Sequence, residues 1–229
     1  MPVPATTGQL KSRILNMEIG DYIVGNYDDV KPEGSKYGIG QGSYTECPVT
    51  GIIPTNFKSH FFYYVKVGKG IIVSDRIVMN SISWDAVNSN KMMQGRPNTM
   101  DGIVGVIRSL TGGVAFADAN GDKATSDKGY GRWPTNNEWD RYIVNFPKDK
   151  IQIGKTSKDI FNTELKVVTW CQDTPINGMS KPSGGIPNPS SNIGRTYGYE
   201  GSLDWAESTW GTVYNGTSQG FRPVFEYKE

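Results

Sequence analysis

The sequence predicts an α+β fold in which strands dominate, on three observations. Runs of β-branched and aromatic residues recur along the chain, most plainly HFFYYVKV (60–67) and IIVSDRIVM (71–79). Apolar residues at helical spacing are confined to a few short stretches. Gly numbers 28 and Pro 13 in 229 residues, enough to break the chain into many short elements joined by turns.

In TTGQLKSRILNM (6–17), Leu10, Ile14 and Met17 fall on one helical face and Gly20 follows, which predicts a short amphipathic helix. DYIVGNY (21–27) reads as a strand. Residues 32–59 are rich in Gly, Pro and Thr with little periodicity, which predicts a long loop or an elaborated hairpin. The runs at 60–67 and 71–79, separated by Gly68-Lys69-Gly70, predict the clearest hairpin. A second helix is expected from Ser83, with Trp84 and Val87 facing inward. GIVGVIRSL (102–110) is a strand or another buried segment. ELKVVTWCQ (164–172) and GFRPVFEY (220–227) read as strands, Pro223 limiting where the latter can pair. Between them, residues 173–220 are almost entirely Gly, Ser, Asn, Pro, Thr, Tyr and Trp, which predicts long irregular loops.

GRWPTNNEWDRYIVNF (131–146) predicts a helix with a marked start. Thr135 and Glu138 have the spacing of a capping box, in which the hydroxyl accepts the third amide and the carboxylate reaches back. Trp139, Tyr142, Ile143 and Phe146 then share a face. Glu138 and Asp140 are two apart and point in different directions, so they read as structural and not as a catalytic pair.

Several chemistries fail on residue count. A net charge of +1 without a basic cluster gives no nucleic-acid footprint. The longest apolar run is far too short to cross a bilayer. The start, MPVPATTGQ, lacks the basic and apolar regions of a signal peptide, and Cys47 and Cys171 read as two separate thiols of a protein made in a reducing cytoplasm. GIGQGS (38–43) lacks the third glycine of a dinucleotide loop. His60 is the sole histidine, so it offers no histidine-rich metal site and reads as a structural strand residue. Asp118, Asn120 and Asp122, with Asp127 nearby, resemble part of a calcium loop. Lys123 replaces the expected Gly and the twelfth position has no Glu, so a polar turn is the better reading and no cofactor is expected.

GRWPTNNEWDRYI, the Gly/Trp/Ser/Asn-rich stretch and the closing GFRPVFEY together resemble the C-type-lectin-like fold. The version is that of formylglycine-generating-enzyme relatives, retroelement-diversified variable proteins and many phage virion proteins. LKSRILNMEIGDYIVGNY and SDRIVMNSISWDAVN resemble phage structural proteins of Gram-positive hosts. The resemblance implies a lectin-like domain over 81–229 preceded by a small β-rich anchoring or oligomerisation module over 1–80. It also implies a virion location, with assembly in the host cytoplasm beside other virion proteins. The catalytic parts do not carry over: the close cysteine pair that binds copper and the histidines of iron-dependent relatives are both missing, so the chain is not expected to be an enzyme.

Recognition is expected on 173–220, where Tyr197, Tyr199, Trp205, Trp210 and Tyr214 sit among small polar residues, a composition typical of recognition loops. A host-surface glycan is the candidate ligand. The two aromatic faces of HFFYYVKV demand cover, which points to a homo-oligomer. Two other classes stay open. One is a sugar-binding protein outside a virion, although the calcium-lectin triplets are missing. The other is a cell-wall hydrolase using Asp204 and Glu207, which share a face if their segment is helical.

Overall fold

Nine strands form one curled sheet, and most of the chain is arranged on its two faces. The computed structural model describes residues 3–31, 34–54, 58–113, 115–124, 128, 132–163, 167–174, 193–199 and 202–229. At 115–116, 193–199 and 202–210 it is the backbone that is described.

The N-terminal stretch is mostly extended. β1 (Leu10–Lys11) runs parallel to β2 (Tyr22–Asp28), and only a 3-10 turn at Ile14–Asn16 is helical between them. The helix expected over 6–17 does not form, because carboxylates take its amides. Asp21 Oδ1 accepts from Gln9 N at 2.7 Å and Asp101 Oδ2 from Ile14 N at 2.9 Å. Ile14 and Met17 still reach the core, whereas Leu10 is exposed.

β3 (Lys36–Ile39) takes the rest of the edge that β2 shares with β1. β4 (Thr45–Glu46) lies parallel to the start of β5 (Ser59–Gly68), which covers the whole opposite edge of β2. β5 turns through Gly70 into β6 (Ile71–Ser74), the hairpin legible in the sequence. Gly70 has φ +63°, and a Cβ there would lie 2.2 Å from Tyr227 O, so the turn and the close approach both require glycine.

β7 (Met79–Asn80) leads to α1 (Trp84–Ser89), which starts where expected, the Ser83 hydroxyl accepting from Ala86 N at 3.1 Å. β8 (Arg96–Met100) and β9 (Ile103–Arg108) form the next hairpin. β10 (Ala115–Ala117), β11 (Lys123–Ala124) and β12 (Arg132–Trp133) make a small sheet. α2 (Ser157–Phe161) opens with a capping box of Thr156 and Asp159. The remaining strands are β13 (Val168–Trp170), β14 (Ile193–Tyr199), β15 (Ser202–Gly211), β16 (Gln219–Phe221) and β17 (Val224–Tyr227).

A five-stranded sheet has the order β15-β14-β13-β16-β7, while β17 enters the main sheet between β6 and β9. Pro223 is therefore where the chain passes from one sheet to the other, and it supplies no amide to either. Strands from both sides of Asn80 share these sheets, β6 with β17 and β7 with β16, and the boundary expected there falls inside β7. Residues 173–220 depart most from expectation: where long irregular loops were predicted, β14 and β15 form an antiparallel ladder.

Alternation along the central strands divides them between two cores. Phe62 and Tyr64 of β5, Ile72 of β6, and Phe225 and Tyr227 of β17 join Ile23, Tyr37 and Ile107 in one core. Val65 and Val67, Ile71 and Val73, and Val224 pack on the other face against Trp139, Ile143, Phe146, Ile160 and Phe161. Both faces of β5 are thus covered by the chain itself. The need for a neighbour's surface, which motivated a homo-oligomer, is met from within.

The helix at 138–144 supplies much of the second core, with Asp140–Val144 wound as π-helix. Its cap is not the expected Thr135–Glu138 box. Asn137 Oδ1 accepts from Asp140 N at 3.0 Å and Asn137 Nδ2 donates to Asp140 Oδ2 at 2.7 Å, so the reciprocal pair lies two residues further on. Glu138 is drawn away by Arg108, whose Nη1 and Nη2 donate to its two carboxylate oxygens, each at 2.5 Å.

Candidate recognition ribbon and its scaffold

Four of the five candidate residues lie on one ribbon. Tyr197 and Tyr199 are on β14, and Trp205 and Trp210 on β15. In the ladder Tyr197 stands opposite Ala206, Tyr199 opposite Ser202 and Trp210 opposite Gly194. Each of these three positions is thus paired in register with a small residue. Trp205 falls where the register shifts between Ala206 and Ser202, and a second shift lies near Trp210. Such bulges bend and twist a ribbon. β15 is the outermost strand of its sheet. The side chains of these four residues lie outside the described set. Tyr214, in the turn beyond β15, is 41% exposed, and its ring lies against Gly216, where a Cβ would come within 2.5 Å.

The inner side of the ribbon is anchored firmly. β14 pairs with β13, Tyr197 beside Thr169 and Thr196 beside Trp170. Trp170 is buried, and its indole Nε1 donates to Ile82 O at 2.8 Å, while Trp84 Nε1 donates to Cys171 O at 2.9 Å. Ser109 Oγ donates to Trp170 O at 2.5 Å. These bonds tie β13 to α1 and β9 and satisfy polar groups that burial would otherwise penalise.

Two guanidiniums are buried beneath this scaffold. Arg222, of the GFR motif, donates through Nη1 to Ser74 O and through Nη2 to Phe161 O, both at 2.8 Å. Burial pulls its pKa down to about 10, against the opposing charge of Asp75. Arg76 binds both oxygens of Asp75 and reaches Glu46 and Cys47 O. Burial raises the Asp75 carboxyl above its ordinary range, against the pull of Arg76. A buried pair of this kind costs several kcal/mol in desolvation, which its hydrogen bonds must offset, and it fixes geometry more than it adds stability.

Arg108 does the same between two of the resemblance motifs. Besides Glu138 it binds Glu226 Oε2 through Nε at 2.6 Å, joining the PTNNEW segment to the closing strand. Thr111 completes the link: its amide donates to Glu138 Oε2, and its hydroxyl accepts from Glu138 N, both at 3.0 Å.

The other candidate chemistries find little geometry. Asp118 Oδ1 accepts from Asn120 N at 2.8 Å and Asp122 N at 3.0 Å, which makes the stretch a self-bonded polar turn; Asp127 lies outside the described residues. Among the described residues no group of three or more His, Cys, Asp or Glu is placed to hold a metal. Cys47 and Cys171 are buried and form no disulfide, and burial pushes the Cys47 thiol well up. His60 is fully buried on β5, its pKa pulled down to about 4 by that burial. Asp204 and Glu207 are on a strand, so the helix that would bring them onto one face is not there. No helix of the described residues is long and apolar enough to cross a membrane.

A concavity elsewhere escaped the sequence. It lies where β3 and β8 approach, and its residues come from four separate stretches with no motif to mark them. No family model, curated protein or solved structure matches the chain.

Proposed function

We propose that this chain is a bacteriophage virion structural protein, on the capsid, tail or baseplate, whose C-type-lectin-like domain displays the β14–β15 ribbon to a host-surface ligand. One observation carries the reading. Two of the motifs behind the resemblance, PTNNEW and the closing strand, are joined through Arg108 into one support, and the aromatic-rich ribbon stands at the outer edge of the sheet beside it. A rigid scaffold with recognition residues at its margin is how binding surfaces are commonly built. Aromatic residues are of the type that stacks on a flat partner such as a sugar ring.

The test is attachment. Tyr197→Ala and Tyr214→Ala are expected to leave the melting temperature within a few degrees of the parent and to weaken binding to host cells or wall glycans at least tenfold. Immunogold labelling of particles should place the chain on the virion. Unchanged attachment would make the ribbon scaffold, and a chain missing from purified particles would remove the virion role.

A further inference from the structure

Three Asn-Gly pairs occur in the sequence, Asn120-Gly121, Asn177-Gly178 and Asn215-Gly216. The pair is chemically labile, because glycine has no Cβ to keep its amide nitrogen away from the side-chain carbonyl carbon of the asparagine before it. Asn177 lies outside the described residues. The fold treats the other two pairs differently.

Asn120-Gly121 is clamped. Gly121 N, the nitrogen that would attack, donates to Asp118 O at 3.0 Å, and Asn120 N and Asp122 N on either side share Asp118 Oδ1. In Asn215-Gly216 the attacking nitrogen is free. The pair links two turns, one closed by Tyr214 N donating to Gly211 O at 2.9 Å, the other by Gln219 N donating to Gly216 O at 3.2 Å. Asn215 is exposed, and among the described residues neither its side chain nor Gly216 N makes a hydrogen bond to protein. Packing favours glycine at 216, where a Cβ would lie 2.4 Å from the Tyr214 hydroxyl.

We propose that Asn215 is a self-modifying site, at which the folded chain deamidates without an enzyme while Asn120 is protected. Gly216 N attacks the Asn215 side-chain carbonyl carbon and a C–N bond closes a cyclic imide. The side-chain amide leaves as ammonia, taking up the proton that Gly216 N gives up. Water then opens the ring at either carbonyl. One opening gives aspartate; the other gives isoaspartate, in which the main chain runs through the former side-chain carbon. No electrons change hands and water is the co-reactant. Either product adds a carboxylate beside Tyr214 and cancels the formal net charge of +1. The site stands whether or not the β14–β15 ribbon recognises anything.

Peptide mapping by mass spectrometry tests it, on the full chain aged at mildly alkaline pH, folded in one sample and unfolded in urea in another. In the folded chain, conversion at Asn215 should run about tenfold faster than at Asn120, the factor expected when the attacking amide of one pair is held in a hydrogen bond. In urea the two should convert at similar rates, because the clamp by Asp118 is gone. The rate at Asn215 should rise with pH, since the attacking nitrogen must lose its proton, and an isoaspartyl methyltransferase should label the aged protein at this residue. Asn215→Gln should slow conversion at 215 about tenfold or more, since the longer side chain brings its carbonyl to the nitrogen less readily. It should also leave the melting temperature unchanged, because the Asn215 side chain holds nothing. Equal or faster conversion at Asn120 in the folded chain, or an intact Asn215 there when the urea sample has converted, would overturn the proposal.

Discussion

His60 stands on β5 between the rings of Tyr27 and Phe62, closed off from water. Its folded pKa of about 4 lies below the ordinary value of 6.5, so between these limits the unfolded chain binds a proton that the folded chain refuses. Stability from this residue is therefore full above pH 6.5 and falls as pH drops toward 4. By pH 5 the loss is about 2 kcal/mol relative to pH 7. Denaturant melts at the two pH values should show it, and His60→Phe should remove most of the difference. A second residue-scale expectation concerns the helix cap. Asn137→Ala should cost about 1 kcal/mol or somewhat more, whereas Thr135→Ala should cost a few tenths, by the same melts. The reverse order would restore Thr135 as the cap.

Among the elements, the strand of GFRPVFEY and the helix after PTNNEW depend on Arg108, which is half of each attachment. Arg108→Gln leaves Glu138 partly buried without its charge partner, and a loss of about 3 kcal/mol is expected, read from the urea midpoint. Glu226→Gln touches the more exposed arm and should cost well under half of that. These elements also show what a sequence discloses. β2, the β5–β6 hairpin and α1 were legible because period-2 runs, a Gly-Lys-Gly turn and a serine cap are local signals. The 6–17 helix misled because its apolar spacing was genuine while its amides were claimed by Asp21 and Asp101, which no local pattern announces. The capping box slipped by two residues for a similar reason, since Glu138 matched the motif but Arg108 outbid the helix end for it. β14 and β15 were hidden because Gly and Ser weaken the strand signal, so their aromatics were found and their ribbon was not.

For the whole molecule, the decisive pairings are long-range. β6 and β9 meet β17 from opposite sides, and Lys66 of β5 lies buried with its ammonium 2.6 Å from Tyr227 Oη and 2.8 Å from Glu229 Oε1. Residues 1–80 alone should therefore fail to fold, since β6 and the core beneath it would lose their cover. Amide dispersion in an NMR spectrum of that fragment would check this, and a folded fragment would support a boundary near Asn80.

β17 also sets a timetable. It is an interior strand of the main sheet yet follows every other strand in the chain, so during synthesis β6 and β9 wait as two open, apolar edges until the ribosome has passed Tyr227. Such edges invite pairing between nascent chains, and pairings this distant in sequence form slowly. A premature stop anywhere before Val224 does not trim the sheet at its margin; it removes the strand that joins the β8–β9 hairpin to the rest. Truncation products should accordingly be lost to aggregation or proteolysis as a class, with no graded series of shortened but folded forms.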